Sequence, residues 1–156
     1  MVNVKSALSA NAKQAIVDGL TQALAETSVT MMKAQNFHWN VQGMAFGSLH
    51  ALFQEVYEDH FSGQDVLAER VRALDAYAEG RYSSYLERSS VTETDGRISD
   101  REMISTLQAD QEQVAYTLRS LAAISEEHGD IVTNDLAIER ADQHDKFAWM
   151  LRAHLR

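Results

Sequence analysis

Apolar residues recur along this chain at spacings of three, four and seven, the period of a helix that buries one stripe. Ile16, Leu20, Leu24, Val29 and Met32 mark the first stripe and predict a helix from about Ala10 to Phe37, with Ser9 or Asn11 as its cap. A second is predicted from about Gly47 to Ala76, after the turn-like segment Gln42–Gly47 with its two glycines. The string Ser99-Asp100-Arg101-Glu102 has the form of a capping box; Ile104, Leu107, Val114, Leu118 and Leu121 follow it and predict a third. The fourth is expected from near Thr133, after Gly129, with Leu136, Arg140, Phe147, Leu151 and Leu155 along one face.

The connections are unequal. Only a few residues join the first helix to the second, and the third to the fourth, so each pair is expected to form an antiparallel hairpin. About twenty residues, Glu79 to Ile98, lie between the hairpins, and Tyr82, Tyr85 and Leu86 predict a short packed helix among them. The expectation is an all-α four-helix bundle with one long crossover, a single domain over residues 1–156, with no repeat and no low-complexity segment.

Composition narrows the function classes. Proline is absent and glycines number seven, which favours long helices. Without cysteine there is no disulfide, thiolate metal site or thiol catalysis, which suits a reducing, cytoplasmic setting. No apolar run of membrane-spanning length is present, and Met1–Lys13 lacks the apolar core of a signal peptide, so no membrane partner is expected. The net charge of −9 argues against nucleic acid as a default partner and suits attraction of cations.

The candidate chemistry lies in His38, His50, Asp65 and Glu69. Two imidazoles and two carboxylates without thiolate suit Fe2+, and equally Zn2+ or Mn2+. Taken singly, each has a plainer account: packed or surface histidines, and carboxylates on a solvated face beside Arg70 and Arg72. On one helix, Asp65 and Glu69 point about 60° and 100° from His50, on the same broad face. Yet the 15 residues from His50 to Asp65 span about 22 Å along the axis, too far to share one ion. Two copies packed antiparallel about a two-fold axis would bring the histidines of one against the carboxylates of the other. The site reads as intersubunit.

The run His38-Trp39-Asn40-Val41-x-Gly43-x-x-Phe46-x-x-Leu49-His50-x-x-Phe53-x-x-x-Tyr57, continuing to Asp65-x-x-Ala68-Glu69-Arg70-x-x-x-Leu74, resembles the Dps miniferritins, the DNA-binding proteins from starved cells. The segment His144-Asp-Lys-Phe-Ala-Trp149-Met-Leu151 is similar to that family's last helix, so the resemblance covers nearly the whole chain. It implies a ferritin-like four-helix subunit assembled into a hollow dodecamer with 23 symmetry. It also implies oxidation of Fe2+, preferentially by hydrogen peroxide, at sites on the dimer two-fold, with the Fe3+ oxide stored inside. By position, His38 and His50 would come from one subunit and Asp65 and Glu69 from its mate. Trp39 would take up oxidising equivalents or simply pack as a buried wedge.

One position departs from the pattern. Four residues after His50 the family usually has aspartate, and this chain has Gln54, a weaker neutral oxygen donor. That puts the second iron position in doubt. Glu58, about 80° from His50 on the same stripe, and His60 are candidate replacements, against the simpler account of Glu58, Asp59 and His60 as an exposed face. A second acidic group, Glu126, Glu127, Asp130, Asp135 and Glu139, resembles the carboxylates that line the family's three-fold iron pore; Asp130 and Asp135 are its best candidates.

Family members that condense DNA often carry a lysine-rich tail. Here only Lys5 and Lys13 precede Lys33, and Arg152 and Arg156 are the added charges near the C-terminus. Twelve copies at −9 each would carry about −108, so DNA binding is expected to be weak or absent. The competing expectations are a structural nucleoid protein whose centre is weakened by Gln54, and a protein that holds Zn2+ or Mn2+ without turnover.

Overall fold

The computed structural model describes residues 8–156, so the expectations for the leading residues up to Lys5 lie outside what it describes. Five helices follow in order: α1 Ala10–Asn40, α2 Phe46–Ala73, α3 Tyr82–Arg88, α4 Asp100–Glu127 and α5 Ile131–Ala153. α1 packs along α2 and α4 along α5, giving the two expected hairpins; α1 joins them by packing against α4. The short α3 sits against α1 within the crossover. No strand occurs among the described residues.

The helix starts follow from their caps. The Ser9 hydroxyl accepts from the Ala12 amide and opens α1. Ser99 and Glu102 form the complete capping box that opens α4. α5 begins two residues earlier than periodicity suggests, because the Asp130 carboxylate accepts from the Thr133 amide and acts as its cap. α1 runs past Phe37 to Asn40, which places His38 inside the last helical turn.

Two apolar clusters fill the bundle. One, built on Leu20, Leu24, Leu67, Val114 and Leu118, lies toward the α4–α5 turn. The other, built on Phe37, Leu49, Phe53, Leu107 and Phe147, lies beneath the start of α2. Met32 departs from the expected core stripe, with 45% of its surface exposed, and Tyr85 rather than Tyr82 or Leu86 anchors α3. A polar layer separates the clusters, and it was not visible in the apolar pattern.

Candidate metal centre

His38 and His50 meet where α1 ends and α2 begins, and the two rings stack with centroids 3.8 Å apart. His38 Nδ1 lies 2.7 Å from the His50 carbonyl, and His50 Nδ1 lies 2.8 Å from the His38 carbonyl. A carbonyl only accepts, so both Nδ1 atoms carry the proton. In the neutral imidazoles Nε2 is then the bare nitrogen on each ring, the atom able to ligate a cation. Phe46 stacks on the outer face of His50 at 5.1 Å, and Tyr57 meets His38 edge-on at 5.2 Å. The pair is thus fixed in tautomer and orientation before any ion arrives. Both aromatics lie in the His38–Tyr57 motif, but only the fold brings them against the two rings.

Asp65 and Glu69 are exposed on the outer face of the same unbroken α2. The helix holds them about 22 Å or more from His50 along its axis, so one chain does not bring the four groups together. Among the described residues, no cluster of three or more potential ligands forms within the chain. Neither carboxylate pairs with the nearby arginines. Arg70 instead reaches α5, and Arg72 donates to the Ala76 carbonyl.

Around the face shared by α1, α2 and α3 lies a groove of about 630 Å³. Met32, Trp39, Phe61, Tyr82 and Leu86 line it, and all are largely exposed, Trp39 by 60% and Phe61 by 67%. Trp39 is therefore not a wedge buried within its own subunit. Gln54, half-buried on α2, donates from Nε2 to the Glu58 carboxylate at 2.8 Å.

The structure corrects two site expectations. His60 is not a spare ligand facing outward; it is fully buried inside the bundle. Its Nδ1 donates to Asp59, and its Nε2 accepts from the Gln111 amide at 3.1 Å. The Gln111 oxygen in turn accepts from His144 Nδ1 at 2.6 Å. Arg140 closes the ring, with two nitrogens on Asp59 at 3.0 and 2.8 Å and one 3.4 Å from His144 Nε2. All four nitrogens of the inner histidines are occupied, which leaves no lone pair for a metal. Burial drives both imidazoles below the usual histidine range, His144 the further because the Asp59 hydrogen bond and charge offset part of the shift in His60, while His144 faces His60 and Arg140 with no such hydrogen bond. Burial alone would raise the Asp59 carboxyl, but the hydrogen bonds from His60 and Arg140 outweigh it and hold the acid far below normal.

The second correction concerns Asp130, which is only 6% exposed. It accepts from Thr133 as the α5 cap and from Arg70 at 2.9 Å, so within the subunit its carboxylate is already engaged rather than free. Burial opposes its ionisation, and the Thr133 and Arg70 contacts overcome that penalty and lower its pKa. Glu126, Glu127, Asp135 and Glu139 remain exposed.

Residues 17–156 match the ferritin-like domain family. The chain is 32% identical to DNA protection during starvation protein 2 of Bacillus anthracis over 140 residues, covering 90% of this chain and 96% of the relative. A Dps protein from Vibrio cholerae O1, described as a member of the ferritin-like diiron-carboxylate proteins, superposes with a TM-score of 0.91 at 31% identity, over 96% of this chain and 94% of that one. Dps from Staphylococcus aureus gives 0.89 at 34% identity, over 92% and 96% of the two chains.

Proposed function

Since the chain belongs to the Dps family of ferritin-like proteins, we propose that it is an iron-storing, iron-detoxifying miniferritin that oxidises Fe2+ at sites between subunits. The observation that carries the reading is the His38–His50 pair, whose mutual backbone hydrogen bonds free two Nε2 atoms side by side. The substrate ion would be held by these nitrogens together with Asp65 and Glu69 of a second subunit. That donor set suits Fe2+ and admits Zn2+ or Mn2+ as competing occupants.

Hydrogen peroxide is the proposed oxidant: two Fe2+ and one H2O2, with two protons, give two Fe3+ and two water molecules. Consuming both reactants together prevents the one-electron reaction that releases hydroxyl radical. Assembly is supported by the exposed apolar groove at the α1, α2 and α3 face, which a second copy would cover. Trp39 lines that groove next to His38 and would serve there as an oxidisable aromatic.

We assign the complete particle as a cytoplasmic dodecamer in which Asp135 and Glu139, rather than Asp130, line the route for Fe2+. Among the described residues no helix is long and apolar enough to cross a membrane. With −9 per chain, DNA binding at physiological salt is expected to be weak despite the name of the Bacillus relative.

Anaerobic Fe2+ titration followed by peroxide, with the ferric absorbance recorded, tests the reading. Wild-type protein should bind Fe2+ and oxidise it far faster than buffer, and His38→Ala should lose both while keeping its helical signal and assembly. Oxidation no faster than in buffer would leave structure or DNA protection as the role.

A further inference from the structure

Gln54 stands one helical turn beyond His50, where a side-chain oxygen would lie close to an ion held by the histidine pair. An amide is an ambiguous neighbour for a cation. Its oxygen is a ligand; its NH2 group presents two protons and is not. In this chain the ambiguity is removed by Glu58, one turn further along, whose carboxylate lies 2.8 Å from Gln54 Nε2. A carboxylate only accepts, so the NH2 must face Glu58 and the carbonyl oxygen must face away from it. Among the described residues no other hydrogen bond engages the Gln54 side chain.

Glu58 itself is badly placed to ligate. It lies eight residues from His50, about 12 Å along the axis, so it does not share an ion with the histidines. Gln54 has a second consequence, because donation to a carboxylate draws electron density toward the amide oxygen and makes it a better donor to a cation.

We propose that Gln54 Oε1 is a neutral ligand for the second ion of the centre and that Glu58 is its positioning residue, holding the amide oxygen toward the ion. The inference rests on the intersubunit ferroxidase reading given above. It makes the second position weaker and less charged than the first, yet a built site rather than a lost one.

Anaerobic titration of the assembled protein with Co2+, read by calorimetry and by the visible bands of the bound ion, tests it. Wild-type protein should take a first ion tightly and a second more weakly. Glu58→Ala should weaken the second by roughly tenfold, the scale of an outer-partner loss, and leave the first unchanged. Glu58→Gln, which keeps an acceptor for the amide, should retain most of the binding. Gln54→Asp should tighten the second ion and make it indifferent to Glu58→Ala, because both carboxylate oxygens are acceptors and need no orienting. Gln54→Leu should lose the second ion, with no further loss on adding Glu58→Ala.

A Glu58→Ala effect of the same size in the Gln54→Asp background would make Glu58 a ligand or a general charge, and the inference falls. It falls equally if Glu58→Ala leaves the second ion untouched, or if wild type takes one ion where Gln54→Asp takes two. Those results spare the ferroxidase reading. Retention of the first ion by His38→Ala would instead sink that reading, and this inference with it.

Discussion

Acid should destabilise this protein between pH 7.5 and 5.5, well above the range in which carboxylates titrate. The perturbation acts on His60 and His144, buried and neutral in the closed ring with Asp59, Gln111 and Arg140. In the unfolded chain both return to an ordinary pKa near 6.5. In the folded chain both lie lower, His144 well below. The unfolded state therefore binds protons that the folded state refuses, so the stability present above pH 6.5 is lost as pH falls toward the folded values.

Each histidine that stays neutral to pH 5.5 removes about 1.4 kcal/mol over this span, so the pair removes at most about 2.7 kcal/mol, with His144 the larger share. Asp59 does not compensate, because its depressed pKa places its own loss below the ordinary carboxylate range. Urea unfolding at a fixed protein concentration, repeated at half-unit pH steps, measures the slope. His144→Asn lowers stability at pH 7.5 but removes one titrating group, so its pH slope should drop by at least about 1 kcal/mol over the same two units. An unchanged slope in that variant would refute the assignment, whatever its absolute stability.

Three further outcomes are expected. Gly63→Ala would place a methyl 2.6 Å from the Arg140 guanidinium carbon, so Arg140 must shift on Asp59; set against the roughly 1 kcal/mol that alanine gains over glycine inside a helix, thermal unfolding should report a net loss of about 1 kcal/mol. Asp130→Ala removes the α5 cap and the Arg70 ion pair, leaving Arg70 only its bond to the Thr133 hydroxyl, and should cost about 1–3 kcal/mol in urea unfolding, whereas Asp130→Asn should recover the capping part. If Asp130 lined the iron route instead, both variants would slow iron uptake without loss of stability. Asp135→Asn should do the reverse, slowing uptake with stability changed by less than about 0.5 kcal/mol, as measured by stopped-flow iron oxidation and urea unfolding side by side.

The four long helices and the crossover helix were legible because each buries one stripe and shows it at helical period. Boundaries were legible where a side chain makes the cap within three residues, as at Ser9 and Ser99. They slipped at α5, where Asp130 looked like one more member of an acidic run. The polar ring was not legible, because Asp59, Gln111 and Arg140 come from three helices and meet only after packing. A trace of it did exist: His60 falls at spacings of four and three among Val56, Gly63 and Leu67, which are all buried. A histidine on that stripe is an inward residue, and Glu58 two positions earlier is an outward one.

The two histidine pairs show why residue type alone did not separate a candidate ligand pair from scaffold. His38 with His50, and His60 with His144, are both close pairs of imidazoles in a helical bundle. They differ in what each ring nitrogen meets. In the inner pair every nitrogen has a protein partner, so a cation would have to displace Gln111 or approach Arg140, and both cost more than the ion returns in a buried site. In the outer pair the backbone consumes one nitrogen per ring and leaves the other bare. Those backbone acceptors exist only because α1 continues to Asn40 and the turn to α2 is five residues long, residues 41–45, which brings each histidine's carbonyl onto the other's ring. The shortness of that turn is what leaves Nε2 of both histidines without a backbone partner.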